Sequence, residues 1–370
     1  MNATLRYLLP RLAWTLLLLA LLSLLAHWSD RLARKGNDKT VLRAVLFING
    51  TLGDKSFFDS AAKGMRRAGR ELPVSVRVVE GGNDPTRWES ALADLADSGD
   101  YDIVLAGTFT MVPYVQRLAG EFPRMRFVMF DAAVDYARCA CGNVHSILFR
   151  QNEGAYLAGY LAAMLLQERL LPGLPTNAGL GQVGGMQLPV IDDYLLGFGA
   201  GARAANPSIR VAIQYANGFS DPAAGKDIAN AQMAAGAGLI FQAAGATGQG
   251  VTEAASEAHR YTIGVDLDQY EMYRHSNPQR AAAIVTSVLK NVDVAIVQAL
   301  SLALRQQLPY GRADSLGLAE GGIGLAPHSE VLDRLPQPLR QRLDAVRADL
   351  VSGRVHPPSG FARANTEARG

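Results

Sequence analysis

The stretch that decides the fold is Val45-Leu-Phe-Ile-Asn-Gly-Thr-Leu-Gly-Asp-Lys-Ser-Phe-Phe58, because it joins a strand to a helix through a glycine-containing loop. Its apolar first half predicts a strand over residues 41–49, and the polar–apolar run that follows predicts a helix over residues 60–71. In open α/β sheets, ligands bind at the carboxyl ends of the strands. The loop therefore predicts one wall of a ligand pocket.

The same rhythm of strand, glycine-containing turn and helix continues to about residue 131 and restarts after the Pro/Gly-rich break at Leu171–Pro175. Strands that are apolar on both faces and alternate with helices indicate parallel sheets. The predicted fold class is α/β, with two doubly wound parallel-sheet lobes and a ligand cleft between them. We expect the lobes and the tail at these residues: lobe 1 at 40–147 plus 267–312, lobe 2 at 148–266 plus 313–358, and a disordered tail at 359–370.

The composition excludes some classes of function. The chain has 370 residues, a net charge of +2 and no basic stripe, so we expect no nucleic-acid partner. No catalytic motif is recognisable, and the six histidines show no metal-ligand spacing, so we predict neither an enzyme nor a cofactor.

The N-terminus has the pattern of a targeting segment. Arg6 and Arg11 precede the apolar run Leu12–Trp28, as in a secretory signal. The run lacks a good cleavage site and is slightly shorter than the about 20 residues that span a bilayer. Residues 1–35 are therefore predicted to be a signal peptide or an N-terminal membrane anchor, and both readings stay open.

Three short motifs allow more than one interpretation. Cys139 and Cys141 predict a loop disulfide or two free thiols, and with His145 a three-ligand metal site is conceivable. The glycines of Gly179–Gly184 fall inside a strand pattern, so a dinucleotide site is not favoured. The loop Gly245–Gly250 follows a strand and precedes a helix, so it predicts either N–H donors for a polar ligand or a tight turn.

Two aspartates end apolar strands. Asp131 follows Met129-Phe130, and Asp266 follows Gly264-Val265, with Asp268 two residues later. A carboxylate at the carboxyl end of a parallel strand points into the cleft, where it can accept hydrogen bonds from a ligand. The alternative is a helix N-cap, a position that aspartate also favours.

Taken in order, these segments resemble the basic membrane protein (Bmp/PnrA-like) family, the substrate-binding proteins of ABC transporters whose characterised members bind purine nucleosides. The resemblance covers about residues 42–358. It rests on Asp54 to Phe57, Asp131, Glu153-Gly154 with Tyr156 to Tyr160, Gly184-Gly185, Tyr194 to Gly201, Phe219 to Lys226, Ala244 to Gly250, Gly264 to Gln269, Thr286 to Lys290 and Ser352-Gly353.

The resemblance implies a ligand site. Phe57 and Phe219 would sandwich a base, Asp131 would bind its edge, and Asp266 and Lys290 would hold the ribose hydroxyls. Core packing is the alternative for the two rings. The remaining residues of the predicted ligand-binding set are Asn49, Asp54, Phe58 and Gly245.

The chain departs from the family pattern where the base would be recognised. Ile48 and Phe58 stand at positions where the family commonly has Asp and Asn, although Asn49 could replace one of these polar groups. No cysteine that could be lipidated lies near residue 26.

The resemblance implies an exported protein, periplasmic or anchored in the cell membrane, that captures a nucleoside-like small molecule and delivers it to an ABC permease. We expect it to be a monomer. The alternatives are a membrane-anchored ligand sensor with the same binding fold and, less favoured, a nucleoside-processing enzyme.

Overall fold

Two six-stranded sheets form the protein, of which the computed structural model describes residues 41–361. Both sheets lie in one compact unit that begins at Arg43. The order of the strands is β11-β5-β4-β3-β1-β2 in the first sheet and β12-β10-β9-β8-β6-β7 in the second. The strands are β1 (Leu42–Ile48), β2 (Val74–Glu80), β3 (Ile103–Gly107), β4 (Arg126–Phe130), β5 (Val144–Phe149), β6 (Gly179–Gly184), β7 (Val211–Tyr215), β8 (Ala237–Ala243), β9 (Tyr261–Asp266), β10 (Ile284–Lys290), β11 (Arg312–Leu316) and β12 (Ile323–Leu325).

The helices cover both faces of the two sheets. They are α1 (Phe57–Glu71), α2 (Trp88–Asp97), α3 (Val112–Glu121), α4 (Gln151–Gln167), α5 (Pro189–Ala205), α6 (Pro222–Ala234), α7 (Thr247–Glu257), α8 (Gln269–Tyr273), α9 (Pro278–Ala282), α10 (Val292–Leu304), α11 (Glu330–Asp333) and α12 (Gln337–Val351).

The central strands are buried on both faces. Every residue from Ala44 to Ile48 of β1 and from Ile103 to Gly107 of β3 is buried, as in a parallel strand that is covered on both faces. Neighbours pair in parallel from β11 to β1 in the first sheet, and β12 alone runs antiparallel in the second. The predicted fold of two doubly wound lobes is confirmed.

The division of the chain between the lobes differs from the prediction at residues 267–290, which belong to lobe 2, and at residues 313–316, which belong to lobe 1. Strand β10 pairs with β9 in the second sheet, and only β11 joins the first sheet. The reason is that α8 and α9 are five-residue helices that return the chain to the sheet it has just left. The chain then crosses to lobe 1 at α10, which packs on α1, and crosses back between β11 and β12.

Three crossover segments within residues 41–361 link the lobes and form the hinge, and two of them are bonded to the third. Arg150, between β5 and α4, pairs with Glu320 at 2.6 Å in the segment 317–322 that joins β11 to β12. Asn291, between β10 and α10, donates from Nδ2 to the carbonyl of Gly321 at 2.8 Å. The hinge is therefore one connected hydrogen-bonded unit.

Helices α4 and α5 of lobe 2 pack with their backbones in contact. A Cβ atom on Gly159 would lie 2.0 Å from the carbonyl oxygen of Phe198, and one on Gly201 would lie 1.9 Å from that of Tyr156. Only glycine allows so close an approach. This packing fixes α5 and the side chains that it directs toward the cleft.

The end of the described chain is ordered. Gly360 donates its N–H to Asp193 at 3.0 Å, so the predicted disordered tail does not begin at residue 359. Residues 362–370 lie outside the described residues, and so does the predicted signal peptide or anchor at residues 1–35.

Candidate functional site

The carboxyl edges of the two sheets meet at the cleft, and two side-chain contacts join them. Lys290, at the end of β10, places Nζ 2.5 Å from Oδ1 of Asp131, which follows β4. Ser56, in the loop before α1, donates its hydroxyl to Asp266 at the end of β9. Asp131, Lys290 and Asp266 stand at strand ends, and Ser56 stands in the loop before α1.

The ion pair between Asp131 and Lys290 is nearly excluded from solvent, since the two side chains are 12% and 3% exposed. Burial raises the pKa of Asp131, and the Lys290 ammonium opposes that rise. Three aromatic rings surround the ammonium, with centroids 5.6 Å (Phe57), 5.6 Å (Phe149) and 5.4 Å (Tyr194) from Nζ. Ring faces attract a cation, so these rings stabilise the charge that burial would otherwise disfavour.

Asp266 has a neutral partner in the opposite lobe. Its residue is 8% exposed, and burial raises the pKa of its carboxyl to about 6. Lys290 and the Ser56 hydroxyl limit that rise, whereas the carboxylates of Asp54 and Asp131 add to it. The site therefore holds one carboxylate that is paired with a cation and one that titrates near neutral pH.

The two predicted stacking rings stand on opposite lobes and are half-buried. Phe57 opens α1, and its ring centroid lies 5.6 Å from that of Phe130 and 5.5 Å from that of Phe58. Phe219 lies in the loop between β7 and α6, where its ring packs against Gly185; a Cβ there would be 2.3 Å away. Each ring is thus supported within its own lobe.

Two residues of the predicted set have structural contacts. Asp54 accepts hydrogen bonds from the backbone N–H groups of Ser56, Phe58 and Asp59, which fixes the start of α1. Burial nevertheless raises the pKa of Asp54. Gly245 has φ +57° and would place a Cβ 3.3 Å from the Phe219 carbonyl, so it serves as a tight turn beside that ring.

Asn49 forms a polar cluster with two threonines that sequence reasoning did not identify. Its Nδ2 donates to the hydroxyls of Thr108 (2.9 Å) and Thr110 (2.8 Å), which also bond to each other at 2.8 Å. Its Oδ1 is buried and has no hydrogen-bond partner within residues 41–361. Thr108 directly follows β3, so the strand-end rule that selected Asp131 would have found it.

Tyr194 is a second residue that the site analysis of the sequence missed. It lies on α5, is buried, and has a pKa well above its usual value because of burial and the carboxylates of Asp266, Asp131 and Asp193. A tyrosine within an apolar helix usually indicates core packing, so no local sequence signal marked Tyr194 as part of the cleft.

Cys139 and Cys141 form a disulfide, which decides among the three alternatives for this motif. His145 is buried, with Nδ1 3.0 Å from the Pro309 carbonyl. Within the described part of the chain, no group of three or more His, Cys, Asp or Glu side chains is arranged to hold a metal ion.

The family model described as ABC transporter substrate-binding protein PnrA-like matches residues 41–354. The chain belongs to this family. The PnrA-like chain is 28% identical to the ABC transporter nucleoside-binding protein BmpA of Lactococcus lactis subsp. cremoris, over 89% of this chain and 93% of that protein. It is 29% identical to basic membrane protein B of Borrelia garinii subsp. bavariensis, over 77% and 81%.

Solved structures of similar proteins have the same fold. An ABC transporter solute-binding protein from Aeropyrum pernix K1 matches this PnrA-like chain with a TM-score of 0.72 and 27% identity, over 85% of this chain and 92% of that one. A solute-binding protein from Conexibacter woesei DSM 14684 matches with a TM-score of 0.68 and 26% identity, over 86% and 99%.

The PnrA-like protein is therefore a solute-binding protein of an ABC transporter, which binds a small molecule and works with a permease. The family is one of binding proteins and not a class of enzymes. Its members are exported, as lipid-anchored or periplasmic proteins. None of the helices within residues 41–361 combines the length and the apolar character needed to cross a membrane.

Proposed function

We propose that this protein captures a purine-nucleoside-like molecule between its lobes and delivers it to the permease without altering it. The observation that carries the proposal is the pair of strand-end carboxylates, Asp131 and Asp266, which meet partners from the opposite lobe beside the ring of Phe57. A relative that covers most of the chain is named a nucleoside-binding protein, which supports the same ligand class.

Each part of a nucleoside has a matching group. The base would stack between Phe57 and Phe219, and such stacking contributes about 1–3 kcal/mol per base in nucleic-acid complexes. Asp131 would accept a hydrogen bond from an N–H of the base. Asp266 and Lys290 would hold the two ribose hydroxyls, with a ribose hydroxyl taking the position of the Ser56 hydroxyl at Asp266.

The base edge would be recognised differently from the family pattern. Ile48 is 1% exposed and belongs to the core of lobe 1, so its side chain offers no contact to a ligand. Asn49 follows it and has a buried carbonyl oxygen without a partner among the described residues. A buried acceptor of this kind costs about 1–3 kcal/mol when it is unsatisfied, so an N–H of the ligand would bind there favourably. Phe58 would line the same wall through its ring.

We further propose that the protein acts as a monomer and that residues 1–35 direct its export, by cleavage or as an anchor. Mass spectrometry of the protein from its native cell envelope would distinguish these two fates of the N-terminus, and light scattering would measure the oligomeric state.

Isothermal titration calorimetry with guanosine, adenosine, inosine and uridine tests the ligand class. We expect Phe57→Ala and Asp266→Ala each to abolish measurable binding while leaving the circular dichroism spectrum unchanged. Phe361→Ala and Asp97→Ala, exposed positions outside the cleft, are the matched controls. Unchanged affinity in both site variants would contradict the site, and the absence of heat with all four nucleosides would contradict the ligand class.

A further inference from the structure

The loop that precedes α1 touches lobe 2 at two places that involve none of the proposed ligand-binding side chains. Nζ of Lys55 lies 5.3 Å from the centroid of the Tyr273 ring at the end of α8. Gln249, on α7, donates from Nε2 to the backbone carbonyl of Asp54 at 3.1 Å. Helices α7 and α8 both pack on strands of the second sheet, so these two contacts join the lobes.

The Tyr273 ring is held in place from its own lobe. The guanidinium carbon of Arg280 lies 5.2 Å from the ring centroid, and Arg280 also pairs with Glu253 at 2.6 Å. Tyr273 is 6% exposed, and its hydroxyl has no hydrogen-bond partner in the described part of the chain. The aromatic face, and not the oxygen, is therefore what Tyr273 presents to the cation from lobe 1.

Lys55 is suited to a contact that forms and breaks. It is exposed and has a φ of +51°, a left-handed conformation that is uncommon for residues other than glycine. The neighbouring carboxylate of Asp54 fixes the loop by its three backbone hydrogen bonds. The loop therefore holds its shape in lobe 1 while the end of Lys55 reaches lobe 2.

We propose that Lys55, Tyr273 and Gln249 form a clasp that stabilises the closed arrangement of the lobes. They are positioning residues, because their contacts join the two lobes and none of the three belongs to the proposed ligand-binding set. The apparent dissociation constant equals the intrinsic constant divided by the fraction of closed protein. The clasp therefore strengthens the binding of every ligand by the same factor, whatever the ligand is.

The test compares Lys55→Met with the wild type in two measurements. Electron–electron double resonance between spin labels on Asp97→Cys in lobe 1 and Gln214→Cys in lobe 2 reports the fraction of closed protein without any ligand. Calorimetry with guanosine and adenosine reports affinity. We expect Lys55→Met to shift the distances between the spin labels toward the open form. It should also raise the Kd of both nucleosides by the same factor, about 3- to 10-fold.

Matched variants isolate the contact. Arg117→Met removes an exposed cation that pairs with the exposed Glu89 and Glu121 within lobe 1, and should change neither measurement. Lys55→Arg keeps the cation and Tyr273→Phe keeps the ring, so both should behave as the wild type.

Three results would overturn the clasp. The first is a Lys55→Met protein that matches Arg117→Met in both distances and affinity. The second is a loss of affinity confined to one nucleoside, which would make Lys55 a ligand contact. The third is a loss that Lys55→Arg does not restore. If neither nucleoside binds the wild type, the distance measurement alone still decides the clasp, while the ligand class fails separately.

Discussion

Asp131 and Asp266 occupy equivalent places in the two lobes. Each lies at the carboxyl end of a parallel strand, each has a left-handed backbone conformation, with φ of +62° and +66°, and each contacts a side chain from the opposite lobe. They differ in the charge of that partner. Asp131 meets the Lys290 ammonium, whereas Asp266 meets the hydroxyl of Ser56.

The difference shows how one fold prepares two carboxylates for different tasks. Burial raises the pKa of both carboxyls, but at Asp131 the Lys290 ammonium in direct contact opposes that rise. A buried carboxylate with a neutral partner has its pKa raised, to about 6 for Asp266, and gains most from new hydrogen-bond donors such as ligand hydroxyls. We therefore expect ligand binding to release protons near pH 6 through Asp266.

The largest expected effect comes from removing the cation of lobe 2. Lys290→Met leaves the Asp131 carboxylate buried without a partner, which should lower the free energy of unfolding by about 3–5 kcal/mol. Urea denaturation at pH 7.5 measures it. The double variant Lys290→Met/Asp131→Asn should recover most of this loss, and equal midpoints for the single variant and the wild type would contradict the buried pair.

The reverse effect is expected at the other aspartate. Because the pKa of Asp266 in the folded protein is about 6, above the ordinary 3.8, the folded state binds its proton more tightly than the unfolded chain. Its contribution to stability is therefore greatest below pH 4 and is lost as pH rises through 6. Asp266→Asn should stabilise the fold at pH 7.5 by up to about 3 kcal/mol.

Urea denaturation at pH 4.0 and pH 7.5 checks this sign. The difference in the free energy of unfolding between Asp266→Asn and the wild type should be small at pH 4.0 and large at pH 7.5. Asp131→Asn is the matched control. It should destabilise the fold because it leaves the buried Lys290 ammonium without its charged partner. Two asparagine variants that shift stability in the same direction would show that the two aspartates do not differ as described.

The smallest effect belongs to a third aspartate, whose carboxylate bonds only within lobe 1. Asp54→Ala removes three backbone hydrogen bonds at the start of α1 and should cost about 0.5–2 kcal/mol, as the loss of a helix cap does. Thermal unfolding measures it, and Asp84→Ala, which removes the cap of a short exposed helical turn, is the comparison. A cost above that of Lys290→Met would contradict a role for Asp54 that is limited to capping α1.

Local sequence patterns predicted much of the fold. The strand predicted over residues 41–49 is β1 (Leu42–Ile48), and the helix predicted over residues 60–71 is α1 (Phe57–Glu71), because an apolar run and a helical period carry much of their own boundaries. Asp131 and Asp266 were found by their place at strand ends. The sheet that β10 joins was not found, because it depends on pairing with β9 and not on the sequence of β10. The partners across the cleft were not found either, since Ser56 and Asp266 are 210 residues apart.

The hinge has a mechanical consequence. Within residues 41–361 three chain segments link the lobes, and Arg150 and Asn291, on two of them, are each bonded to the third, residues 317–322. Crossover segments without mutual contacts could bend about different axes. Segments that are hydrogen bonded to a common segment are expected to rotate together about one axis. We expect the lobes to swing along one path, so that a permease in contact with both lobes would sense occupancy as one angle, whichever solute had caused the closure.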